Sequence, residues 1–69
     1  MRATLYVFDD PVGTAIWNGQ HFVFEGDNPR LMEFLLQDVA DRTGLQGDEL
    51  LRAWESLLIS PSKSLLLDD

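Results

Sequence analysis

"AIWNGQHFVFEGDNP", residues Ala15 to Pro29, decides how this chain folds. Asn18-Gly19 stands between two apolar runs, TAIW and QHFVFE. Asn-Gly in that setting is the strongest short-range hairpin signal, because a type I′ turn needs positive φ at both central residues and these two tolerate it. A two-residue loop also predicts the register. Trp17 then faces Gln20, Ile16 faces His21, Ala15 faces Phe22, Thr14 faces Val23, and Gly13 lies near Phe24. Successive side chains in a strand point to opposite faces. One face therefore carries Ala15, Trp17, Phe22 and Phe24, and the other Thr14, Ile16, His21 and Val23. The stretch ends in a helix start. Asn28 is a good N-cap, Pro29 suits the first helical position, and Asp27 sits beside the positive end of the helix dipole.

Outward from the hairpin, ATLYVF (Ala3–Phe8) is short, β-branched and aromatic, and predicts a strand. DDPVG after it predicts the first turn, with Pro11 fixing its own φ and restricting Asp10. On the other side the helix from Asn28 runs to about Thr43 and stops at Gly44 as a left-handed cap, Leu45 folding back as its contact. Leu31, Met32, Leu35, Leu36 and Val39 make its apolar stripe, widened by Phe34. GDELLRAWESLLIS (47–60) predicts a second helix, with Leu50, Leu51, Trp54, Leu57 and Leu58 at helical spacing and Pro61 ending it. Asp38–Arg42 and Asp48–Arg52 are i,i+4 ion pairs on these helices. In the tail, residues 61–69, Leu65, Leu66 and Leu67 are too apolar for a free end. They predict a short last strand or a segment docking on the chain's own sheet or on a partner. The expected fold is α+β: a three-stranded antiparallel meander followed by two helices packed on one face (βββαα), with a short C-terminal strand as an addition.

Sixty-nine residues make one small domain, 1–69. A chain of this length buries only ~60% of its unfolded surface, so it needs unusually good packing or a partner. It has no cysteine and one histidine. Disulfides and thiolate sites are excluded, and a structural zinc site is not expected, because zinc takes several nitrogen or sulfur ligands. Hydrophobic residues at 45% and charged residues at 25% are globular values and argue against disorder. The opening MRATLYVFDD is short and quickly acidic, unlike a signal peptide. No run reaches the ~20 apolar residues of a membrane span. A soluble, cytoplasmic protein is expected.

Twelve acidic and five basic residues give a net charge of −7. Binding to nucleic-acid phosphates or to an anionic membrane is not expected. A basic protein partner suits that charge, as does simple solubility. Glu33, Asp38 and Asp41 fall on the solvent side of the first helix and Asp48, Glu49 and Glu55 on that of the second, a candidate acidic face.

Other candidates are weaker. His21 and Glu25 are four apart in a strand, ~13 Å along the axis at ~3.3 Å per residue, and do not touch. Asp9-Asp10 before a proline offers oxygens to a hard cation but lacks a calcium-loop spacing, and Asp is common in turns. Trp54 falls within a helix stripe. Trp17 falls at the hairpin tip, as a cap on the core or an interface anchor. No nucleophile stands beside a base and no glycine-rich loop precedes a helix. Neither an enzyme nor a cofactor is expected.

Two helices cover one face of a small sheet, and the aromatic Trp17, Phe22 and Phe24 face has most area to bury. Tyr6 and Phe8, or Leu5 and Val7, complete it from the first strand. The opposite face keeps Thr14, Ile16 and Val23, plus the other apolar pair of the first strand, and solvated sheet faces are normally polar. A cover is therefore expected: a second copy, another protein, or the leucine tail. Ile16, Trp17, His21, Val23, Leu65, Leu66 and Leu67 are the candidate protein-contact residues. The leading expectation is a small, acidic, non-enzymatic binding or regulatory module, homodimeric. The alternative is a phage-type or antitoxin-like inhibitor whose acidic face mimics nucleic acid and blocks a basic nucleic-acid-binding protein. The third is a metal-assisted enzyme using Asp9, Asp10 and His21.

Overall fold

A computed structural model describes residues 1–68. The order of elements is β1 (Arg2–Val7), β2 (Asp10–Trp17), β3 (Phe22–Glu25), α1 (Pro29–Thr43), α2 (Gly47–Leu57) and β4 (Lys63–Asp68). The strands form one four-stranded antiparallel sheet in the order β3-β2-β1-β4. The expected α+β architecture is present, but the sheet has four strands and not three. The tail does not fold beneath the sheet: β4 pairs with β1, setting Leu65 opposite Leu5 and Leu67 opposite Ala3.

The first turn is tighter than expected, and it falls earlier. Val7 pairs with Asp10, leaving Phe8 and Asp9 as a two-residue loop with φ of 50° and 66°. Pro11 is not in the turn but inside β2. It is tolerated there because the β1–β2 register shifts between Leu5 and Tyr6, leaving Val12 as the extra residue of a bulge. The bulge has a purpose in packing. A one-residue slip exchanges the two faces of a strand, and this one brings Gly13 and Ala15 under the helices, opposite Leu5 and Ala3.

The Asn18-Gly19 hairpin differs from its expectation in the opposite sense. Trp17 pairs with Phe22, Ile16 with Val23, Ala15 with Phe24 and Thr14 with Glu25. The loop is therefore Asn18–His21, four residues, and His21 belongs to it and not to a strand. Gly19 has φ of 100°, while Asn18 stays out of the positive region, so the type I′ requirement is unmet. Instead Asn18 Oδ1 accepts the N–H groups of Gln20 and His21, at 2.9 and 3.0 Å. This register sets Trp17 directly against Phe22, with ring centroids 4.8 Å apart. Cross-strand aromatic pairs stabilise a sheet, and here they accompany a longer loop. The register differs by two residues, so Ala15, Trp17, Phe22 and Phe24 still share one face.

Both helices lie on that face. The core joins Ala3, Leu5, Ala15 and Leu65 of the sheet to Met32, Leu36 and Val39 of α1 and Leu50, Leu51 and Trp54 of α2. Helix α1 begins as expected: Asn28 Oδ1 accepts the Leu31 N–H at 3.1 Å, with Pro29 next. It ends at Gly44 with φ of 72°, whose N–H donates to the Ala40 carbonyl. Its buried stripe is narrower than expected, since Leu31 is 38% and Phe34 70% exposed. Helix α2 stops at Leu57, three residues before the expected end; Leu57, expected in its apolar stripe, and Ile59 beyond it lie in solvent. Asp38 pairs with Arg42 at 3.3 Å. Asp48 does not pair with Arg52; its half-exposed side chain meets the Met1 ammonium at 3.5 Å. The Met1 side chain is nearly buried, and the ammonium charge balances a buried Asp48 carboxylate oxygen that has no hydrogen-bond partner.

Candidate protein-interaction surfaces

Alternation along the strands creates an open sheet face. With Leu5 turned to the helices, Thr4 and Tyr6 of β1 point the other way, as do Thr14 and Ile16 of β2, Val23 of β3 and Leu66 of β4. Val23 is 38% and Leu66 58% exposed, and Thr4, Tyr6, Thr14 and Ile16 are half-buried. Neighbouring strands set these residues in rows. Val23, Ile16, Arg2 and Asp68 form one, and Glu25, Thr14, Thr4 and Leu66 the next. Thr4 and Thr14 share a hydroxyl hydrogen bond of 3.1 Å within the second row. The face thus has an apolar and hydroxyl centre with charges of both signs at its margins.

The candidate contact residues separate into groups. Ile16, Val23 and Leu66 lie together on the open face. Leu65 is buried in the core, and Leu67 packs against it on the helix side. His21 is exposed in the hairpin loop, its Nε2 3.3 Å from Asn18 Nδ2. Trp17 is on the helix side, half-buried. Its indole rests on the first residue of α2, Gly47: a Cβ there would come within 3.1 Å of Trp17 Cε2. Of the two first-strand alternatives, Leu5 faces the helices and Tyr6 belongs to the open face. Thr4, which sequence reading did not single out, joins it, since a helix-facing Leu5 turns both neighbours outward.

Trp17, Phe22 and Phe24 also line an open groove of about 490 Å³ between the β2–β3 hairpin, α1 and the α1–α2 loop. Phe22 and Phe24 stack with centroids 6.2 Å apart. Glu33, Gln37 and Asp41, one helical ridge at four-residue spacing, form the opposite wall. Gln37 Nε2 donates to Asp41 Oδ1 at 3.0 Å. Leu36 and Leu50 close the base.

Of the six acidic candidates, Glu33, Asp38, Asp41, Glu49 and Glu55 are exposed and Asp48 is half-buried against the N-terminus. Asp9 and Asp10 are exposed at the β1–β2 turn, away from the hairpin loop that holds His21. Among the described residues, no three His, Cys, Asp or Glu side chains converge as metal ligands would, and no helix is long and apolar enough to cross a membrane. No protein-family model, curated protein or solved structure matches the chain.

Proposed function

We propose that the chain is a non-enzymatic protein-binding module of the cytoplasm that pairs with a second copy of itself through the open sheet face. The observation that carries this reading is the set of Tyr6, Ile16, Val23 and Leu66 on a face that lies opposite both helices. Water-facing sides of antiparallel sheets are normally polar, and contiguous exposed apolar groups mark contact sites. A second copy suits the charges. Arg2 stands on the same face as Glu25 and Asp68, so a two-fold arrangement can set the arginine of each copy against a carboxylate of the other. The absence of cysteine suits a reducing compartment.

The test is molar mass by light scattering across a concentration series at low and high salt. The expected result is twice the chain mass, favoured by added salt, because two chains of charge −7 repel and salt screens that repulsion. A monomer at every concentration and salt level overturns self-pairing. A second reading, an inhibitor that mimics nucleic acid, is favoured by the net charge and by the exposed Glu33, Asp38, Asp41, Glu49 and Glu55. It requires tight, salt-weakened binding to a basic nucleic-acid-binding protein.

A further inference from the structure

Trp17, Phe22 and Phe24 fill the core only in part. Each remains half-exposed along the groove between the hairpin and α1. Aromatic faces carry negative charge density and attract cations set over them. The wall opposite is built from Glu33, Gln37 and Asp41; no lysine or arginine lines the groove among the described residues, and His21 in the hairpin loop is its one basic side chain. We propose that this groove holds an extended, arginine- or lysine-bearing segment of a partner protein. The inference rests on the chain being a protein-binding module but not on self-pairing, since the groove lies on the helix side of the sheet.

The geometry narrows the occupant. Glu33 and Asp41 are eight residues apart on one helix, a span of ~12 Å at 1.5 Å per residue. In an extended segment, basic residues four apart are separated by ~13 Å, so two of them can reach both carboxylates. Arginine fits better than lysine. Its planar guanidinium stacks on an aromatic ring and meets a carboxylate with two parallel hydrogen bonds. Gln20, Gln37 and Gln46 along the groove offer amide donors and acceptors to the segment's backbone. The aromatic wall is held in shape without a ligand: Trp17 rests on Gly47, Phe22 on Trp17, and Phe24 on Phe22. β3 is an edge strand, so an extended chain has access from the side. An anionic ligand would meet both carboxylates and is disfavoured.

The probe is a capped heptapeptide, Gly-Arg-Gly-Gly-Gly-Arg-Gly, titrated into the isotope-labelled full chain and followed by NMR. Its control has norleucine in place of each arginine. The expected result is saturable shifts of the Trp17 indole N–H and of the Gln37 and Gln46 side-chain amides, with no such shifts from the control. The double variant Glu33→Gln/Asp41→Asn should weaken binding about tenfold or more, a loss of ~1.4 kcal/mol. Asp38→Asn/Glu55→Gln changes the net charge equally and should leave the affinity within about twofold. No saturable shift, equal binding of the norleucine peptide, or equal weakening by both double variants overturns the proposal. The readout is local to the groove, so a chain that proves monomeric in light scattering still tests it.

Discussion

The two faces of the sheet are built from alternate residues of the same strands, yet their surroundings differ sharply. On the helix side the backbone itself is in contact. A Cβ at Gly13 would lie 2.5 Å from Met32 Cγ and 2.9 Å from the Glu25 carbonyl oxygen. Met32, Leu5 and Leu51 are fully buried there. On the open side, Val23 and Leu66 reach water and Tyr6 and Ile16 are half-covered. Substitutions on the two sides therefore act on different properties. Helix-side changes create voids or clashes in a close-packed interior. Open-side changes alter what the protein can touch.

The largest expected effect is on the helix side. Met32→Ala should lower the unfolding free energy by ~2–5 kcal/mol, measured by urea denaturation, because a fully buried side chain leaves a cavity. A cost no greater than that of an open-face substitution would erase the contrast between the faces. Gly13→Ala should cost ~1–3 kcal/mol through overpacking. Combined with Met32→Ala, its penalty should shrink, because the Met32 Cγ it strikes has gone; a residue pair in contact is not additive. Ile16→Thr keeps a β-branched strand residue and should cost no more than about 1 kcal/mol in chain stability. The same change should weaken self-association about tenfold in the light-scattering series. An unchanged dimer would remove Ile16 from the interface. The smallest effect belongs to neither face. Phe8→Asn should raise stability by ~0.5–1 kcal/mol, since a bulky residue is costly in the left-handed region and asparagine is not. No gain there would mean that Phe8, 78% exposed, has contacts that offset its strain.

The two hairpin turns explain how much of the fold was legible. Local chemistry favours the tight turn at Asn18-Gly19, yet that loop has four residues, and two non-glycine residues make the tight turn at Phe8-Asp9. In both places the ladder decides. Trp17 meets Phe22 across one hairpin, and the bulge at Val12 brings Gly13 and Ala15 beneath the helices in the other. Pairing energies between strands are not visible in a single segment. Face assignments were legible because a two-residue shift preserves alternation, and so were the Asn28 and Gly44 caps, whose chemistry is local. The partnership of β4 with β1 was only one of two outcomes, because three leucines suit an edge strand and a docking segment alike. The open face was foreseen from Ile16 and Val23. The groove was not, since Phe24 and Asp41 are far apart in the chain and only packing sets them along one cleft.

The central position of β1 has a consequence for synthesis. Arg2 pairs with Asp68, so the first of the four strands is completed by the last. Until residues 63–68 emerge from the ribosome, β1 has β2 on one side and bare backbone N–H and C=O groups on the other. An unprotected strand edge recruits other chains, and Leu65 is missing from the core for the same interval. A product cut short before Lys63 would keep that edge permanently. Its hazard to the cell would be aggregation, whatever became of its open face and groove.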